Sequence, residues 1–184
     1  MTRDRAWDIV QEYVKNPNLQ KHMLAVEAAM GAYAQKFDQD TERWQVAGLL
    51  HDFDWEIHPD LASHPQKGAA ILRDRGVDED LIRTIQSHAQ HTGVKREKLI
   101  DKALFACDEI TGLIVAVALI RPSHKLADVE VKAIQKKFKE KSFAAGVNRD
   151  EVLTGAKELG VDIWSEHVPL VLSAMQAIAP VLGL

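Results

Sequence analysis

Six histidine and aspartate residues between positions 22 and 108 lie where an ordinary surface or core role explains them poorly. Neutral imidazoles and carboxylates together suit Zn, Fe, Mn or Ni better than Ca, which prefers ligand shells made only of oxygen. Such a group of side chains therefore predicts a site for divalent transition metals. The six candidate ligands are His22, His51, Asp52, His64, His88 and Asp108.

The adjacent pair His51–Asp52 follows the apolar stretch 46–50, at the end of an expected helix. Neighbouring residues on a helix point about 100° apart, so the pair converges on one ion only from a helix end or with the ion set between the two directions. Taken alone, the pair is more typical of a structural histidine than of a metal ligand.

His22 and Asp108 both lie within apolar helical sequence. Burying an unpaired imidazole or carboxylate there would be costly, and either a metal or a hydrogen-bond partner would remove that cost. His64 opens one expected helix and His88 closes another. The four residues extend the pair at 51–52 into a set that is ordered along the chain.

The elements that must position these side chains are helices, because apolar residues recur at helix-face intervals almost throughout and no hairpin or strand alternation is present. The sequence predicts an all-α fold with a loop over 53–63. Expected helices cover 5–14, 19–37, 41–52, 65–75, 78–91, 98–119, 128–141, 150–159 and 163–182.

The ordered set on helices resembles the signature of the HD-domain superfamily of metal-dependent phosphohydrolases: a histidine, a His-Asp doublet and a later aspartate. A subset of that superfamily adds two histidines before the last aspartate, which His64 and His88 match. The match covers residues 19–122, and the remainder resembles a small, little-characterised group of predicted HD hydrolases. This likeness implies one compact helical bundle over 1–184, with a motif-bearing core at 19–122 and a C-terminal helical extension at 123–184.

By the same resemblance, one or two divalent metals bind here. His22, His51, Asp52 and Asp108 would form the first site, and Asp52 would bridge to a second metal held by His64 and His88. Such a pair activates water for the hydrolysis of a phosphate ester without a covalent protein nucleophile.

The segment after the doublet departs from the commonest family pattern, which places a phosphate-binding lysine there. The residues at 53–56 are acidic and aromatic instead. Phosphate charge would then be met by the metals, by Lys67 or by Arg121, with Arg73 and Arg75 as weaker candidates. Besides Asp52, the candidate catalytic residues are Lys67 and Glu56, where Asp54 or Glu56 would act as a general acid or base. The alternative interpretation of both acids, which we favour, is a solvated loop.

Four further histidines are weighed separately. His91, three residues after His88, is an alternative ligand or a hydrogen-bond partner, and His58 is expected on a loop that borders the site. His124 and His167 are expected at the surface.

Composition limits the partners. The chain of 184 residues has a net charge of −4, one cysteine and no signal-peptide or membrane-spanning pattern. We expect a cytoplasmic protein that acts on a small-molecule phosphate, does not bind membranes or nucleic acid, and can form a homo-oligomer. The lysine run at 132–141 is expected to be a solvated helix face or, alternatively, a docking surface.

Three functions follow from these observations. The first is a metal-dependent phosphohydrolase for a small phosphate ester or nucleotide. The second is a di-iron HD-domain oxygenase, and the third is a non-catalytic module that binds a metal or ligand.

Overall fold

The structure is a computed structural model that describes residues 1–184, and it contains helices and turns but no strand. The predicted all-α fold is confirmed. The ten α-helices are α1 Arg3–Tyr13, α2 Pro17–Lys36, α3 Thr41–Leu50, α4 Gln66–Asp74, α5 Glu79–Ser87, α6 Leu99–Leu119, α7 Val131–Phe138, α8 Arg149–Leu159, α9 Val168–Ala177 and α10 Ala179–Leu182.

Local signals account for most helix ends. The side chains of Asp40 and Asp78 accept hydrogen bonds from backbone N–H groups in the first turns of α3 and α5, as expected for N-caps. Gly93 has a φ of 70°, a left-handed conformation that glycine adopts at little cost, and it closes the turn that follows α5.

Three predicted helices are wrong in extent, and the one expected over 78–91 ends at Ser87. The one expected over 163–182 is divided into a π-helical turn, Ile163–His167, followed by α9 and α10. Pro169 and Pro180 lie in the first turns of α9 and α10, because a proline lacks the N–H that an interior helical position must donate. The helix expected over 128–141 is confined to α7.

The long helices α2 and α6 are the centre of the bundle. α2 packs against α3, α6 and α9, while α6 packs against α8. Glycines permit two of these close approaches: a Cβ on Gly48 would lie 2.9 Å from the backbone nitrogen of Glu27, and a Cβ on Gly155 would lie 2.7 Å from Cα of Ala106. A continuous core of 43 buried residues fills the space between the helices.

His167 is completely buried, so its expected place at the surface is wrong. Its Nε2 lies 2.9 Å from the carbonyl oxygen of Ala106, and its Nδ1 lies 2.6 Å from the hydroxyl of Tyr33. An imidazole that donates to the carbonyl and accepts from the phenol is satisfied without a charge. The residue therefore joins α2, α6 and the π-helical turn.

No helix is both long enough and apolar enough to cross a lipid bilayer.

Candidate metal centre

The six candidate ligands come from five separate parts of the chain. His22 lies in α2, His51 caps the C-terminus of α3, and Asp52 follows it. His64 precedes α4, His88 caps the C-terminus of α5, and Asp108 lies in α6. The helix packing brings all six to one place, where they form two groups of three.

The first group consists of His22, His51 and Asp108. The His22 Nε2 atom lies 3.0 Å from Asp108 Oδ1 and 3.2 Å from His51 Nε2. The third edge, from His51 Nε2 to Asp108 Oδ1, is 3.5 Å. Three ligand atoms from three helices thus face one small volume.

The second group consists of Asp52, His64 and His88. The Nε2 atoms of His64 and His88 lie 3.3 Å from each other, and each lies 3.3 Å from Oδ1 of Asp52. The group is nearly an equilateral triangle.

Asp52 connects the two groups through its two carboxylate oxygens. Its Oδ1 belongs to the triangle with His64 and His88, whereas its Oδ2 lies 3.6 Å from His51 Nε2 and 3.9 Å from His22 Nε2. Asp52 therefore presents one carboxylate oxygen to each group.

These residues fit divalent transition metals. Metal bonds to nitrogen and oxygen of about 2.1 Å separate neighbouring ligand atoms by about 3.0–3.4 Å in octahedral or tetrahedral geometry, close to the edges described above. In both groups two imidazole Nε2 atoms face each other, and at most one hydrogen bond can form between them. A cation would use both lone pairs, and the mixed imidazole and carboxylate donors suit Fe, Mn, Zn or Ni.

The other ring nitrogen of each histidine is held by the protein. Nδ1 of His51 lies 2.8 Å from the carbonyl oxygen of Gly48, and Nδ1 of His88 lies 2.5 Å from that of Ile85. A carbonyl oxygen can only accept, so each Nδ1 carries the proton and each Nε2 lone pair points into the cluster. Local chain geometry, three residues back in each helix, therefore prepares both rings as ligands.

Charges within the cluster perturb one another strongly. Burial alone would lower the pKa of His51, but the carboxylates of Asp52 and Asp108 outweigh it and raise the pKa to about 9. Burial alone would raise the pKa of Asp108, yet the charge of His51 and the hydrogen bond from His22 hold it well below its usual range. Positive charge at the position of the Nε2 atoms is thus favoured by the surrounding carboxylates.

Asp54 is completely buried, so the expectation of a solvated loop acid is wrong for this residue. Its Oδ1 lies 2.8 Å from Nδ1 of His64, and its Oδ2 accepts the backbone N–H of Gly68 at 3.1 Å. A Cβ on Gly68 would lie 2.5 Å from the Asp54 carboxylate, so only glycine leaves room for it. The sequence signal for this contact is the glycine four residues after His64.

Glu56 is exposed on the turn segment after Asp52, as the favoured interpretation of a solvated loop acid expects. Its Oε2 accepts the backbone N–H groups of Lys15 and Asn16, at 2.8 and 2.9 Å. The carboxylate thereby fastens the connection between α1 and α2, and the structure does not bring it into the metal cluster.

None of the basic residues proposed for phosphate makes a side-chain hydrogen bond or ion pair with a candidate ligand. Arg121 lies just beyond the end of α6, about 20 Å along the helix axis from Asp108. Arg73 pairs with Glu79 and Arg75 with Glu12, and Lys67 is exposed in the first turn of α4.

The two remaining nearby histidines lie beside the cluster and not within it. His91 Nε2 donates to the carbonyl oxygen of His64 at 2.7 Å, which supports the backbone next to a candidate ligand. His58 is half-buried on the turn segment after Asp52, and no hydrogen bond joins its ring to the cluster.

One opening of the cluster is an acidic mouth of about 370 Å³ that exposes Asp52 and Asp108. Glu109 and Glu151 add two carboxylates to its wall, and no lysine or arginine lines it. Burial and the charge of Asp108 raise the pKa of Glu109 to about 7. The sequence did not single out Glu151, because it lies 43 residues beyond Asp108 and reaches the mouth only through the packing of α8 on α6.

Comparison with known proteins identifies the fold family. The family model for the HD domain matches residues 19–128, more than half of the chain. Ribonuclease Y of Geobacter sulfurreducens is 25% identical over 154 residues, which cover 82% of this chain and 28% of that protein. Ribonuclease Y of Nitratidesulfovibrio vulgaris is 27% identical over 154 residues with the same coverage. Ribonuclease Y 2 of Levilactobacillus brevis is 25% identical over 157 residues, 82% of this chain and 27% of that protein.

The chain thus spans little more than a quarter of the length of the curated relatives it matches. No solved structure matches it. HD domains bind divalent metals and are generally metal-dependent hydrolases of phosphate substrates. The matched range agrees with the order of the ligand types along the chain and with their convergence on α2, α3, α5 and α6. The chain therefore belongs to the HD domain family.

Proposed function

We propose that this protein is a metal-dependent phosphohydrolase that cleaves a phosphate ester with water. The observation that carries the proposal is the placement of Asp52, which offers one carboxylate oxygen to each group of three candidate ligands. A carboxylate shared in this way is the arrangement that a pair of metal ions requires.

In this proposal His22, His51 and Asp108 would hold one ion, His64 and His88 would hold the other, and the Asp52 carboxylate would be shared between the two. Divalent cations bound there would supply Lewis acidity, lowering the pKa of a water molecule and polarising a phosphoryl oxygen. The water oxygen adds to phosphorus, the ester P–O bond breaks, and the alcohol leaves with a proton.

The chain's own contribution is the orientation and the electrostatics of this site. Backbone carbonyls of Gly48 and Ile85 keep the protons of His51 and His88 on the outer nitrogens. Asp54 does the same for His64. Because these partners are fixed before anything binds, little reorganisation accompanies the reaction.

The test is a metal analysis of protein purified without chelators, followed by phosphate release from an aryl phosphate with added Mn²⁺ or Fe²⁺. We expect up to two metal equivalents per chain and hydrolysis that Asp52→Asn abolishes. The matched control is His124→Ala, which removes an exposed histidine far from the cluster. Undiminished hydrolysis by Asp52→Asn, or none by metal-loaded wild type on any monoester or diester, would refute the proposal.

A phosphodiester of RNA is a second candidate substrate. It is favoured by the relatives described above, which are named ribonucleases and match 82% of this chain. Glu109 and Glu151, the two carboxylates of the acidic mouth that are not candidate ligands, disfavour a polyanion there. A single-stranded RNA oligonucleotide assayed beside the aryl phosphate separates the two, since only a ribonuclease shortens the oligonucleotide in a way that depends on Asp52.

A further inference from the structure

A second opening lies on the other side of His22 from the acidic mouth. It is a groove of about 390 Å³ between α2, α6 and the segment 182–184 after α9. His22, a candidate metal ligand, is part of its wall, and so the groove adjoins the first group of ligands at this residue.

The floor of the groove is a single stripe of α6. Gly112, Val115 and Leu119 follow Asp108 at intervals of four, three and four residues, which places all four on one face of the helix. The stripe runs about 16 Å from Asp108 to Leu119. Leu182 and Leu184 face it from the opposite wall. The groove is therefore mostly apolar along its length, and it begins at a metal ligand.

Charge distinguishes this groove from the acidic mouth. Its wall contains one lysine, Lys21, the residue next to His22 in α2, and no aspartate or glutamate. Lys21 takes part in no ion pair, and its Nζ lies beside Gly183. Lys21 thus gives the wall of the groove a positive side chain, whereas Glu109 and Glu151 give the wall of the mouth two carboxylates.

We propose that the substrate is a phosphate monoester of an apolar aliphatic alcohol, with its phosphate at the metal centre and its hydrocarbon chain along the groove. This inference rests on the proposed phosphohydrolase function and names its substrate class. Hydrolysis adds water across the ester P–O bond and gives inorganic phosphate and the free alcohol. Lys21 contributes positive charge beside the phosphate, and the stripe on α6 removes the chain from water.

The first measurement compares straight-chain alkyl phosphates from ethyl to octyl with metal-loaded protein. Each methylene group that the groove buries should raise kcat/KM about fourfold. The second measurement needs no turnover: isothermal titration calorimetry with octylphosphonate and ethylphosphonate, whose P–C bonds resist hydrolysis. Octylphosphonate should bind much more tightly.

Two variants assign the effect to the groove. Gly112→Leu fills the floor, and its Cβ would meet only a methyl group of Val147 at 3.7 Å, an ordinary contact. Gly112→Leu should remove the protein's preference for long chains in both the hydrolysis assay and the binding assay. Leu119→Gln should weaken the preference, whereas Leu153→Gln, on α8 outside the groove, should not. Leu119 is 49% exposed and Leu153 45% exposed, so the two substitutions disturb folding similarly.

Equal binding of the two phosphonates, or a preference for long chains that survives Gly112→Leu, would overturn the inference. Hydrolysis of the aryl phosphate with no dependence on alkyl length would overturn it while leaving the proposed function intact. If octylphosphonate binds in a way that Gly112→Leu abolishes, but no ester is hydrolysed, the groove is supported and the proposed function fails.

Discussion

Asp54→Asn is the substitution that tests how the second group of ligands is built. The Asp54 carboxylate accepts from two donors at once, Nδ1–H of His64 at 2.8 Å and the backbone N–H of Gly68 at 3.1 Å. An amide of the same shape has one acceptor oxygen and one NH₂ group. Whichever way the amide turns, one of the two donors loses its partner.

The magnitude follows from that loss. With the NH₂ group toward Gly68, a buried N–H is left unpaired, which costs about 1–3 kcal/mol of stability. With the NH₂ group toward His64, the imidazole must accept at Nδ1 and carry its proton on Nε2, the atom that faces Asp52 and His88. Loss of such an orienting partner typically weakens metal affinity about 10- to 100-fold.

The assay is a titration of chelator-stripped protein with Mn²⁺ or Zn²⁺, followed by calorimetry. We expect one equivalent to bind as in the wild type, at His22, His51 and Asp108, and the other to bind 10- to 100-fold more weakly. Asp101→Asn is the matched control.

Asp101 is also completely buried and satisfied by several donors, but it lies about 10 Å along α6 from Asp108. This control should lose stability and keep both affinities. If folded Asp54→Asn binds both equivalents like the wild type, the argument that Asp54 orients His64 is wrong.

Three further predictions concern stability and are checked by urea denaturation. Burial lowers the pKa of His167 to about 4, so the unfolded chain takes up a proton first. As the pH falls from 7 to 4.5, the free energy of unfolding of the wild type should therefore fall by about 2–3 kcal/mol more than that of His167→Gln. Parallel pH profiles of the two proteins would contradict this. Gly155→Ala should cost about 1–3 kcal/mol, because its Cβ would meet Cα of Ala106 at 2.7 Å and push α8 from α6; an unchanged midpoint would show that the helices separate freely. Asp78→Ala should cost about 1–2 kcal/mol by removing the N-cap of α5 and the partner of Arg43, and Asp78→Asn, which can still cap, should recover part of it.

The candidate ligands were predictable from the sequence because the features that mark them lie within short segments of the chain. An imidazole or carboxylate within apolar helical sequence is unusual wherever the chain goes, and helical periodicity depends on neighbours three and four residues away. The all-α fold was predictable for the same reason. The roles of the ligands, and the boundaries of the single domain over 1–184, stay predictions.

Other residues were misjudged because their surroundings come from distant parts of the chain. Asp54 sits in a segment that looks like a polar loop, but Gly68 opens a space for it beneath α4. His167 was taken for a surface residue, although Tyr33, 134 positions earlier, provides its partner. Arg121 was a reasonable phosphate ligand until the straight course of α6 carried it away from Asp108.

By itself, then, the sequence determined which side chains could bind metal and which helices carry them, since residue chemistry and helix period are properties of short segments. Only the tertiary structure decided that Asp52 faces both groups, that one opening is acidic and that the other is an apolar groove with Lys21. Those features depend on distances between residues as far apart in sequence as Lys21 and Gly183, 162 positions, which are set only when the helices pack together.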